Sequence, residues 1–123
     1  MSMALFADDL IRSIVRFVRR EVRLRKAAKW QITEARIVRF RTMEGDFHRL
    51  RPVLDFEYEI NGEMQYGSAA GFSKGSREIN ELGDACEQLH SLKIRRDPSD
   101  PAVNQVLNDD NPALPFAIDH DTF

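Results

Sequence analysis

The chain has 123 residues, the size of one domain, and its 42% hydrophobic and 31% charged content supports a modest core and excludes wholesale disorder. Its single cysteine, Cys86, excludes an internal disulfide and points to a reduced, cytoplasmic setting. No apolar run approaches the roughly 20 residues of a helical membrane span, and Asp8 and Asp9 interrupt the opening before the apolar region of a signal peptide could form.

The net charge of −2 conceals a polarity. Up to Trp30, Arg12, Arg16, Arg19, Arg20, Arg23, Arg25, Lys26 and Lys29 outweigh Asp8, Asp9 and Glu21, leaving +5, so the remainder carries −7. From Asp97 onward every charged side chain is acidic. Such a basic end suits an anionic partner, or is neutralised by the acidic tail or by a second copy folding onto it.

The opening, "LFADDLIRSIVRFVRREVRLRKAAK", predicts a long amphipathic helix within a basic segment of residues 1–29. Leu10, Ile11, Ile14, Val15, Val18 and Val22 recur at helical spacing, and Arg12, Arg16, Arg19, Arg20 and Arg23 share another side. Aspartates early and basic residues late complement the helix dipole.

At Trp30 the period changes to two and a β-rich domain of residues 30–107 begins. "WQITEARIVRFRT" has the composition of a strand, and Arg36 and Arg39, falling on opposite faces, imply either two partly wet faces or a bulge. "EGDFHRLRP" reads as a loop. Leu54, Phe56, Tyr58 and Ile60 then alternate with Asp55, Glu57 and Glu59, and Asn61-Gly62 marks a two-residue turn into the antiparallel partner "EMQYGSAAGF". Ile79, Leu82, Ala85, Cys86 and Leu89 predict a second, shorter helix weakened by Gly83. "SLKI" and "NQVL" predict two more short strands. Between them, each aspartate of "DPSDP" is expected to accept backbone N–H groups just ahead of it, with Pro98 and Pro101 stiffening the corner. The segment 108–123, acidic and containing Pro112 and Pro115, shows no period and is expected to be a mobile tail. The whole is therefore an α+β domain: a small antiparallel sheet or open barrel of four to five strands, with a long N-terminal amphipathic helix and one short helix.

The tryptophan that opens the first strand, the hairpin "RPVLDFEYEINGEMQYGS", the following helix and the closing "DPSDPAVNQVL" together resemble the bacterial domain of unknown function 3592, over about Trp30 to Leu107. The resemblance implies a small β-rich domain usually found beside transmembrane helices, with no established activity or catalytic residues. Where members carry a transmembrane segment, this chain has its arginine-rich helix. In place of the aromatic or aliphatic residues usual before the Asp-Pro, it has Arg95 and Arg96, which suggests a strand at a water-facing edge.

Chemistry is sparsely signalled. Cys86 and His90 are spaced to touch on a helix, but Cys86 lies on the apolar stripe, where an inert core thiol is the ordinary reading. Asp97, Asp100, Asn104 and Asp109 are too widely spaced for a calcium loop, and His120 has no second histidine or cysteine at ligand spacing. The glycines lack a phosphate-loop pattern. These readings imply no catalytic residue, metal or cofactor.

The first helix is the functional candidate, and three readings compete for it. Its apolar residues Leu10, Ile11, Ile14, Val15, Val18 and Val22 pack on its own sheet or on a second chain, giving a non-catalytic, homo-oligomeric scaffold or a module that binds another protein. Alternatively the helix lies on an anionic membrane surface at the inner face of the membrane, its arginines Arg12, Arg16, Arg19, Arg20 and Arg23 near lipid phosphates. Nucleic acid is disfavoured, because the acidic remainder repels phosphates and the hairpin offers no aromatic stacking platform.

Overall fold

The computed structural model describes residues 3–122; Met1, Ser2 and Phe123, which fall in the expected helical and tail segments, lie outside the described residues. Helix α1 spans Met3–Ala27, so it begins before Asp8 and Asp9, which sit beyond its first turn. Strands β1 (Gln31–Glu44), β2 (Leu50–Ile60) and β3 (Glu63–Ala70) follow, then helix α2 (Ser76–Cys86) and strands β4 (Ser91–Arg96) and β5 (Asn104–Gln105). The five strands form one antiparallel sheet in the order β3-β2-β1-β4-β5, curled into a half-barrel. The α+β class expected from the sequence is the observed one.

Several local features follow from the residues that suggested them. The register of β1 on β2 slips between Ile37 and Arg39, so a bulge reconciles Arg36 and Arg39: Arg36 pairs with Glu57, and Arg39 with Asp55. At the β2–β3 turn Asn61 has φ +52° and Gly62 φ +85°, the left-handed pair that matches the twist of a two-residue hairpin. The Asp-Pro corner closes as expected. Asp97 Oδ1 accepts the Ser99 N–H at 2.8 Å and Asp100 Oδ1 the Ala102 N–H at 3.1 Å, and the reversal lets Arg95 and Arg96 pair with Gln105 and Asn104. From the core side, the Tyr58 hydroxyl donates to the Pro101 carbonyl at 2.6 Å.

The core lies inside the curl. Leu54, Phe56 and Tyr58 of β2, Ala35 of β1, and Leu92 and Ile94 of β4 are buried with Cys86, and α2 closes the cavity with Ile79 and Cys86. Helix α2 ends at Cys86, earlier than the apolar spacing through Leu89 suggests, so exposed His90 leaves the helix that was to hold it beside Cys86.

The C-terminal segment corrects the expected mobile tail. Leu114, Phe116 and Ile118 are buried in the same core, and Phe116 is only 5% exposed. Prolines mask their alternation, but two asparagine side chains replace the missing ladder. Asn108 donates to the Phe116 carbonyl and accepts from the Ile118 N–H, both at 2.9 Å. The buried Asn111 side chain accepts from the Lys93 N–H and donates to the Lys93 carbonyl, each at 2.8 Å, as a neighbouring strand would. That amide covers the outer side of β4. Arg95 and Arg96 are accordingly not at an open edge: Arg95 grips Asp110 with two hydrogen bonds of 2.8 and 2.9 Å and donates to the Trp30 carbonyl, and Arg96 bonds Thr33 and Gln31.

Candidate functional site

Helix α1 joins the body only through its C-terminal turns. Ala27 is fully buried, Leu24 is partly so, and the side chains from Ala7 to Arg19 are all exposed. Arg20 donates to Asp121 at 2.9 Å and Arg23 to the His120 carbonyl at 2.6 Å, so the acidic end of the chain does neutralise part of the basic helix. These two arginines are already engaged within the molecule. Arg12, Arg16 and Arg19 make no ion pair among the described residues.

At about 100° per residue, Leu10, Ile11, Ile14, Val15, Phe17, Val18 and Val22 fall in one arc, and the five arginines fall in the opposite one. Arg20, Arg23 and Ala27, which meet the body, belong to the arginine side. The apolar ridge therefore faces away from the domain that carries it, and its residues are 41% to 57% exposed. The expectation that this ridge packs on the chain's own sheet is thus overturned: the sheet is covered by α2 and the C-terminal segment instead.

Along the base of the ridge runs a shallow groove of about 360 Å³, lined by Val18, Arg19, Val22, Arg23, Lys26 and Trp30. Its walls are aliphatic and its rim cationic. The Arg20 guanidinium lies 5.3 Å above the Phe17 ring, holding that ring at the border of the two arcs.

Other candidate chemistry is separated by the fold. Cys86 is buried, and burial pushes its thiol up to about 11, so the thiolate is scarcely populated near neutral pH. Among the described residues no group of three or more His, Cys, Asp or Glu side chains converges as a metal site, and none of the described helices is long and apolar enough to cross a membrane. The aspartates beside His120 are drawn elsewhere, Asp119 to Arg51 at 2.8 Å and Asp121 to Arg20. Three aromatic residues outside α1 are exposed, which periodicity alone does not single out: Tyr66 on β3, Phe72 just after it, and Phe47 in the β1–β2 loop, the last with φ +54°.

No family model, curated protein or solved structure matches the chain.

Proposed function

We propose that the protein is a non-catalytic surface-binding module that attaches to anionic phospholipid through helix α1. The observation that carries this reading is the orientation of the ridge: seven large apolar side chains point away from the body, so a flat surface can meet them with the domain held on its far side. Arg19 and Arg12 lie nearest the ridge on the arginine arc and Arg16 lies behind it; none of the three makes an ion pair among the described residues, and their long side chains can reach back to the level of lipid phosphates. A helix of low overall hydrophobicity with an apolar stripe and a basic face has the composition of an interfacial helix, and each basic residue near an anionic surface contributes about 1 kcal/mol. The resemblance to domain 3592, carried by the Asn61-Gly62 hairpin and the Asp97-Pro98 corner, adds no activity to this reading.

The test is sedimentation of the full chain with phosphatidylserine-containing vesicles. Binding is expected at low salt, weaker at high salt, and reduced about tenfold or more by Arg12→Gln, Arg16→Gln and Arg19→Gln combined or by Val18→Asp. These positions are exposed, so the variants should keep the fold. An absence of sedimentation at low salt would refute the reading.

A second reading is helix pairing between two chains, favoured by the 4-3-4 spacing of Ile11, Val15, Val18 and Val22, which is a coiled-coil seam. It is disfavoured by charge, because it brings two segments of +5 together. A dimer abolished by Val18→Asp would favour it over lipid.

A further inference from the structure

The half-barrel leaves the β3 edge without a strand partner from Met64 to Ser68, up to the point where Ala70 and Gly71 meet Asp119 and Ile118 and the strand end lines a cavity with Ala102–Val106, and the register identifies which backbone groups stand on it. In a two-residue hairpin the flanking pair, here Ile60 and Glu63, exchanges hydrogen bonds, and bonded pairs then alternate along the strands. Gln65, Gly67 and Ala69 therefore direct their N–H and C=O groups into β2. The Gly71 N–H, which donates to the Pro52 carbonyl at 2.9 Å, continues the same alternation. Met64, Tyr66, Ser68 and Ala70 direct theirs outward. The Ala70 carbonyl accepts the Asp119 N–H at 2.8 Å, which shows that this edge takes a strand partner. Among the described residues Met64, Tyr66 and Ser68 have no such partner.

Proteins usually blunt an exposed edge with lysine, proline or a bulge. From Met64 to Ala70, "MQYGSAA", there is no charge and no proline. Tyr66 is 68% exposed, and it shares a shallow groove with Val38 on the outer face of the sheet. Of the acids behind this edge, Asp55 is bonded by Arg39 and Arg41 and Glu57 by Arg36, while Glu59, opposite Met64, makes no ion pair among the described residues.

We propose that this edge is a self-association surface, on which β3 of a second copy adds antiparallel about a two-fold axis at Tyr66. In that register Tyr66 faces its own equivalent and Met64 faces Ser68, all with outward-directed backbone groups, so roughly six backbone hydrogen bonds form between the two strands. The arrangement is isologous: each copy supplies the same uncharged stretch, and because Met64 faces Ser68 the unpaired Glu59 behind Met64 lies at opposite ends of the seam in the two copies. The joined sheets then run continuously through both copies, with the Tyr66 and Met64 side chains packed across the seam. This interface is independent of α1 and of what covers its ridge.

The test uses the full chain in light-scattering chromatography over a range of concentrations. A dimer is expected, with its dissociation constant raised about tenfold or more by Tyr66→Lys, a charge placed at the centre of the edge, and with Val18→Asp having no effect. Tyr66→Pro, which removes only an outward N–H, should abolish the dimer. In case that variant fails to fold, hydrogen exchange of the wild type gives an independent reading, and the Met64, Tyr66 and Ser68 amides should exchange more slowly as concentration rises. A monomer at every concentration, a dimer indifferent to Tyr66→Lys, or exchange at these amides that does not change with concentration would each overturn the proposal.

Discussion

Asp55 sits where burial alone would favour the neutral acid. Burial pushes its carboxyl up, but hydrogen bonds from Arg41, Ser68 and Arg39, at 2.8, 2.5 and 2.6 Å, outweigh it and hold the group at about 2, below its ordinary value of 3.8. Asp110 is lowered in the same direction, by its hydrogen bonds from Arg95. A carboxyl whose folded value is depressed contributes stability that is complete above the unfolded value and lost as pH falls toward the folded one. His120 moves the opposite way in charge: burial, with Arg23 beside it, lowers the imidazole below its ordinary 6.5, so protonation favours the unfolded chain first. Acid should therefore weaken the fold in two stages. Urea midpoints measured from pH 8 downward are expected to decline gently below 6.5 and steeply between about 4 and 2. His120→Gln should flatten the upper stage and Asp55→Asn the lower, and unchanged profiles would show these groups to be electrostatically idle. The Asp97 and Asp100 turns were legible at this scale because their chemistry is local. The Asp55 cluster was not, because its four members come from three strands and meet only once the bulge and the register are set.

Among the elements, α1 and the C-terminal segment exchange the roles that their sequences suggest. The helix has the stronger periodic signal, yet none of the residues from Ala7 to Arg19 is buried. Deletion of residues 1–18 is expected to move the thermal midpoint by no more than about 2 °C, as checked by circular dichroism. The C-terminal segment, with no visible period, is part of the core. Phe116→Ala should cost about 3–5 kcal/mol in urea denaturation, whereas a residue on a free arm would cost nothing measurable. Periodicity identified the apolar arc of α1 but could not say which arc meets the body. The usual assignment of apolar inward fails here because Ala27, Arg20 and Arg23 make the contact. In the tail, Pro112 and Pro115 hid the alternation of Leu114, Phe116 and Ile118, and the ladder that holds them is built from the side chains of Asn108 and Asn111, which no strand pattern reveals.

For the molecule as a whole, the order of helix, hairpin, short helix and closing strands could be read from the chain because neighbouring segments pair with neighbours. Closure of the half-barrel could not, since the last residues return to β3 through Ile118 opposite Gly71 and Asp119 on Ala70. The charge polarity is likewise only partly discharged within one copy: Asp121 and the His120 carbonyl quiet two arginines, and Arg12, Arg16 and Arg19 make no ion pair among the described residues. Lys29 and the body beyond it stay behind a stretch of helix with nothing leaning on it. A protease that cuts after arginine thus has three sites, Arg12, Arg16 and Arg19, on an unsupported stem, while Arg51 and Arg95 are guarded by the fold. The stem becomes a built-in footprint: it is shaved quickly when bare, it is spared while something lies along it, and the size of the surviving fragment reports which.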